Sequence, residues 1–297
     1  MPRCRNNEQI LIDTHLKNQL KVGGKYVTRT KTYILTAVSA LLFIFLAWAF
    51  SDGLFSLGTL FTGDYYSEYT IGTYILLALI IGAGVLRARR LPEVGVAATP
   101  VTDSETPGQT EDPKLWKLLT GNAYWAIFWL PIRFFVGLQW LQAGEHKIRD
   151  DAWMSGGTAL QGFWERAVTI PEGRPSAPAG TYAWYQDFIQ YMLDNQWYDW
   201  SAKAIAIGEF LVGVGLIVGA LVGIAAFAGT LMNFSFLMAG TVSSNPVLFG
   251  LTVFLVLAWK VAGYWGIDRY LLPTLGAPWK AGSLITEHHI SSTNPGK

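Results

Sequence analysis

One arginine restricts this chain more than any other residue: Arg133 lies inside an apolar run at 122–143. An arginine near the middle of a bilayer costs ~2.5 kcal/mol or more unless it is paired or wetted. A chain that places one there must bring a partner to it from another segment. Composition decides whether the run is a membrane span at all. Of 297 residues, 51% are hydrophobic and only 14% charged, and the mean hydropathy is +0.29. A soluble domain carries about a quarter charged residues. The deficit, together with several long apolar runs, predicts an all-α integral membrane protein of the plasma membrane, crossing it several times.

The same composition excludes several functions. A net charge of +1 leaves no strongly basic face for nucleic acid. The single cysteine, Cys4, rules out an internal disulfide, a CxxC redox pair and a thiolate-ligated iron–sulfur cluster within this chain. His15, His146, His288 and His289 are too scattered for a metal or haem site, and the last two read as part of a solvated tail.

Taken in order, residues 1–32 read as a cytoplasmic basic arm, with Arg3, Arg5, Lys17, Lys21, Lys25, Arg29 and Lys31 against Glu8 and Asp13. The stretch is too long and polar for a signal-peptide n-region. Apolar runs at 33–50 and 70–86 form a transmembrane hairpin (33–90) around a short acidic loop. Arg87, Arg89 and Arg90 close it on the cytoplasmic side by the positive-inside rule. No intramembrane charge is visible in it, so its expected role is anchoring and packing. Residues 91–115, rich in Pro, Thr, Ala and Gly, read as a flexible linker. Residues 116–280 form a membrane domain of four spans, at 122–143, 202–222, 224–240 and 247–265. Between the first two of these lies an extracytoplasmic cap of short helices (144–201), with eight Asp/Glu against four Lys/Arg and a high density of Trp and Tyr. In its second helix Tyr185, Phe188, Ile189 and Met192 share one stripe. Residues 281–297 are a polar tail, and six spans place both termini in the cytoplasm.

Glu209 is the only acidic residue inside a span. By span boundaries it lies about 20 Å from the cytoplasmic end and Arg133 about 18 Å, so the two are expected to pair. Such a pair either fixes helix register or marks a site for an anion or a quinone. Asn233 reads equally as interhelical glue or ligand contact, and Lys260 as a snorkelling lysine. Glu145, His146 and Lys147 form either a solvated rim or, with Arg166, an anion-attracting mouth. Pro131 should kink or open its helix. Gly215, Gly219 and Gly223 form a small-residue ridge for close helix packing, and they lack the strand and spacing of a nucleotide loop.

Several motifs stand in order along the membrane domain. They are Arg133-x-x-x-Gly137-x-x-Trp140-x-x-Ala143-Gly144-x-x-Lys147, then Gly162-Phe163-Trp164-Glu165-Arg166, then Gly208-Glu209-Phe210-Leu211-x-Gly213. Asn233-Phe234 and Ala258-Trp259-Lys260-x-Ala262-Gly263-Tyr264 follow. Over roughly residues 122–280 this series resembles the DoxX superfamily, and more closely its DoxD-like branch; the hairpin and linker lie outside the resemblance. The resemblance implies a four-helix membrane bundle, here preceded by the two-helix hairpin. It also implies a membrane subunit of thiosulfate:quinone oxidoreductase, which joins two thiosulfates as tetrathionate and passes the electrons to a quinone with a second redox subunit. On that reading Glu209 and Arg133 are catalytic, with Glu209 accepting a proton; Lys147 and Arg166, together with Arg133, attract the thiosulfate dianion, and Trp140 and Asn233 line the substrate pocket. The alternative is a non-catalytic accessory subunit that docks a partner in the lipid bilayer.

Overall fold

The computed structural model describes residues 26–50, 68–91, 96–97, 112–121, 123–169, 182–241 and 243–275. The basic arm up to residue 25, the acidic loop, most of the linker, the proline-rich part of the cap and the polar tail lie outside the described residues, as do Cys4, His15, His288 and His289.

Apart from one two-residue antiparallel pair, β1 (Tyr26–Val27) with β2 (Val96–Ala97), the described elements are helical. Three of them are long and apolar enough to cross a membrane, which marks a membrane protein: Arg29–Ala49, Thr70–Arg89 and Tyr198–Val218. The first two belong to α1 (Arg29–Phe50) and α2 (Glu68–Arg89). Each shows one face to the outside, with Ile34, Leu41, Phe45 and Trp48 exposed on α1 and Ile71, Ile75 and Leu79 on α2. Their other faces, through Phe43, Leu46, Leu76 and Ile80, join the main core.

The centre of that core is α4 (Ala126–Arg149), preceded by α3 (Lys114–Gly121) and a short 3-10 turn, Ala123–Trp125. Residues from Ala126 to Leu138 are buried almost without interruption. The helix achieves this by packing on α1, α2 and four C-terminal elements: α5 (Asp151–Met154), α8 (Tyr198–Val218), α10 (Asn245–Leu257) and α11 (Trp259–Ala262). A helix buried all round has no outward polar face, which is why no amphipathic period is visible in this segment. Pro131 does not break it: α4 runs unbroken from Ala126 to Arg149.

Two expectations are corrected here. The glycine ridge is not one helix face. Gly219, at φ 70°, ends α8 as a left-handed cap, and Leu221, at φ 50°, turns the chain into α9 (Val222–Met238). Left-handed backbone costs a residue with a Cβ but not glycine, so Gly219 works as a helix stop. The last span is not continuous either: it breaks after Leu257 into the four-residue α11, and a turn then leads to α12 (Asp268–Thr274).

In the cap, α6 (Thr158–Val168) and α7 (Ala183–Asp194) pack on the start of α8 through Leu160, Trp164, Ala167, Ile189 and Ala202. Tyr185 and Met192 pack against the same cluster, but Phe188 is 45% exposed, so the predicted stripe is narrower than its spacing indicated. The Tyr185 hydroxyl donates to the Ser235 carbonyl at 3.1 Å and ties the cap to α9. Tyr182, Trp184, Tyr191, Trp197 and Trp200 stay exposed, an aromatic rim of the kind that sits at headgroup level.

Candidate functional site

The expected Arg133–Glu209 pair does not form. Arg133 is 1% exposed, and its two terminal nitrogens donate to backbone carbonyls, Nη1 to Ala262 at 2.8 Å and Nη2 to Trp265 at 2.7 Å. A planar guanidinium suits this role because it presents parallel donors in a fixed fork. The carbonyls belong to the end of α11 and the turn after it, which have no helical partners of their own. Nearby, Asp268 accepts from the backbone N–H groups of Leu221 (2.5 Å) and Val222 (2.9 Å) and so caps α9 from outside. Burial pushes the Asp268 carboxyl up; those N–H groups and the Arg133 charge oppose the rise. The Asp268 N–H donates in turn to Gly219 O at 2.8 Å, closing the end of α8. Arg133 and Asp268 thus join the ends of three helices at one end of the bundle.

The register explains why Glu209 is elsewhere. Close approaches of Gly137 to Leu216, of Leu141 to Gly213 and of Gly144 to Phe210 set α4 antiparallel to α8. A Cβ on Gly219 would lie 2.7 Å from Arg133 Nη1, so Arg133 is level with the end of α8. Glu209 lies ten residues earlier in the chain, ~15 Å along the helix. Depths read from apolar run lengths misplaced α4, which begins four residues later and ends six residues further on than the expected 122–143.

Glu209 pairs instead with Lys147, at 2.5 Å. The Glu209 side chain is 1% exposed and the Lys147 side chain 18%. Lys147 Nζ also lies 5.0 Å from the Trp153 ring centroid, a cation–π contact. Lys147 sits two helical turns beyond Trp140 on α4. Glycines let the helices meet closely here: a Cβ on Gly229 would touch Trp140 Nε1 at 3.1 Å and Val212 at 3.3 Å. Gly208 faces Met232, which sets Asn233 of α9 within about 3 Å of the depth of Glu209.

Asn233 is 0% exposed and neither Oδ1 nor Nδ2 has a hydrogen-bond partner; Trp140 is 3% exposed and its Nε1 is also without one. A buried unpartnered polar group costs about 1–3 kcal/mol. The ion pair and these groups lie within two helical turns of one another, between α4, α8 and α9. Of the other expected residues, Arg166 is exposed on α6, Lys260 is exposed on α11 beside the Trp259 ring, and Gly215 and Gly223 face Ala225 and Trp259. Glu145 pairs with Arg149 on the surface. Among the described residues no group of His, Cys, Asp and Glu is placed to hold a metal ion.

Asp268 and Trp153 were not anticipated. The signal for Asp268 was the run Gly263-Tyr264-Trp265-Gly266-Ile267-Asp268, in which two glycines admit close contacts and an acid follows directly. Comparison of the chain with family models, curated proteins and solved structures finds no match. The described fold and site define a class: a helical membrane protein in which a partly open lysine, Lys147, pairs with a buried glutamate, Glu209.

Proposed function

We propose that this chain is the membrane subunit of a DoxX-like redox complex, built on a four-helix core of α4, α8, α9 and α10, that oxidises thiosulfate and reduces a quinone. The observation that carries the reading is the pairing of Lys147 with the buried Glu209 carboxylate, with the unpartnered Asn233 amide and Trp140 indole at neighbouring depths. A pair serving helix register alone does not account for donors left unsatisfied beside it. A quinone supplies a two-electron, two-proton acceptor. Its carbonyl oxygens suit the Asn233 Nδ2 and Trp140 Nε1 donors, and Glu209, with Lys147 as its counter-charge, suits holding a proton beside them. Two thiosulfates give tetrathionate and release two electrons. The single cysteine of the chain argues that a second redox subunit carries them. Lys147, partly open beside Trp153, and the exposed Arg166 attract the dianion.

A second reading, a non-catalytic scaffold, is favoured by one observation: Arg133, expected to be catalytic, is committed to backbone carbonyls. Thiosulfate and a water-soluble quinone analogue added to the protein with its co-purifying partner separate the two. Quinone reduction matched by tetrathionate, lost in Glu209→Gln, supports the enzyme. Quinone binding unchanged in Glu209→Gln and Asn233→Leu removes these groups from the reaction.

A further inference from the structure

A second set of unsatisfied donors lies at the Arg133 end of the bundle, well away from the Lys147–Glu209 pair. Arg87, in the last turn of α2, is 6% exposed, and its buried Nη2 has no acceptor. Its guanidinium carbon lies 6.0 Å from the Tyr124 ring. Around Tyr124, Trp125 and Trp265 pack on Leu35, Leu91 and Ile127. Both indole Nε1 atoms are buried and without an acceptor. Arg269, on α12, lies with its guanidinium carbon 5.2 Å from the Tyr264 ring and 5.6 Å from the Tyr270 ring. Arg269 and the exposed Arg90 are close enough to repel Arg87. Among the described residues no carboxylate pairs with Arg87, Arg90 or Arg269. The neighbouring acid, Asp268, is occupied by the N–H groups of Leu221 and Val222.

Among the described residues the unsatisfied groups here are all donors, and three arginines carry no counter-charge. Such a seam is completed by an anion with several acceptor oxygens, for which guanidinium forks are suited. Its position narrows the source. α2 is apolar enough to cross a membrane, its arginines stand at its end, and beside them Leu86 (53%) and Ile34 (59%) are exposed. Phosphate chemistry and an apolar wall thus adjoin, as in a phospholipid.

We propose that the seam between α2, the 3-10 turn and α12 binds the phosphate headgroup of an anionic phospholipid and fastens the hairpin to the bundle. The test uses delipidated full-length protein returned to bilayer discs of phosphatidylcholine, with or without phosphatidylglycerol, and separately to phosphatidylcholine with inorganic phosphate. Phosphatidylglycerol raises the thermal midpoint by roughly 5–10 °C near saturation. Mass spectrometry of the intact protein retains that lipid. Arg269→Gln, at a partly buried position, weakens retention about fivefold, and Arg87→Gln at least as much. Lys203→Gln, an exposed control on α8, changes nothing. Equal stabilisation by phosphatidylcholine alone overturns the proposal, as does undiminished retention in Arg269→Gln. A full shift from inorganic phosphate alone overturns the lipid as its source.

Discussion

Glu209 and Lys147 illustrate how burial changes the worth of a charge pair. Removing one partner leaves the other charge without compensation in the core and costs about 3–5 kcal/mol, whereas replacing both with apolar residues restores most of the loss. Lys147→Met, which strands the buried Glu209 carboxylate, is therefore expected to lower the thermal midpoint strongly, and Lys147→Met with Glu209→Leu to recover most of it. If the double variant is no better than the single, the pair is not an isolated unit. Arg133 makes a different prediction. Its two hydrogen bonds go to the carbonyls of Ala262 and Trp265, and a lysine has no fork with which to reach both. Arg133→Lys should destabilise by roughly 1–3 kcal/mol while charge is conserved. On the proposed function, quinone binding in that variant should remain intact once the protein is folded, because Arg133 lies ~15 Å from Glu209 along the helix axis.

Helix ends, more than helix middles, hold this bundle in register. Gly219 ends α8 in a left-handed conformation and leaves room for the Arg133 guanidinium. Gly219→Ala adds a strained backbone to a steric overlap, so a loss of at least ~1 kcal/mol is expected by thermal unfolding. Asp268→Ala deprives the first N–H groups of α9 of their acceptor and should cost about 0.5–2 kcal/mol. Hydrogen exchange should show the loss first at Leu221 and Val222. Faster exchange throughout the molecule, without that local signature, would place the role of Asp268 elsewhere.

On the scale of the whole molecule, the hairpin is built into the core. Phe43 and Ile80 are 0% exposed in the same cluster as Trp129 and Phe135, so a chain starting at residue 112 should bare an apolar face on α4. It should aggregate or oligomerise in detergent, as size-exclusion chromatography would reveal; a monodisperse monomer would show the hairpin to be dispensable. Much of the membrane character was legible in the residues. Apolar runs located α1, α2, α8 and α9 to within a few residues, because a bilayer demands long uncharged segments whatever their neighbours. Arg133, Glu209 and Asn233 were singled out because polar groups in such segments are few and expensive, whereas Lys147 was placed at the outer rim and Trp140 came from the motif series alone. Their partners were not legible. A shift of a few residues in where a helix begins moves a side chain several ångströms in depth and around the axis, and α4, with three late charges and a proline, had the least certain ends. Gly219 likewise fitted a ridge by spacing, since spacing carries no backbone angle.

Sequence by itself determined that this is a helical membrane protein and which of its side chains must find partners, because hydropathy and the cost of buried charge act locally. Only the tertiary structure decided that Lys147 neutralises Glu209 while Arg133 holds the ends of helices, because antiparallel register is set by glycine contacts between segments far apart in the chain.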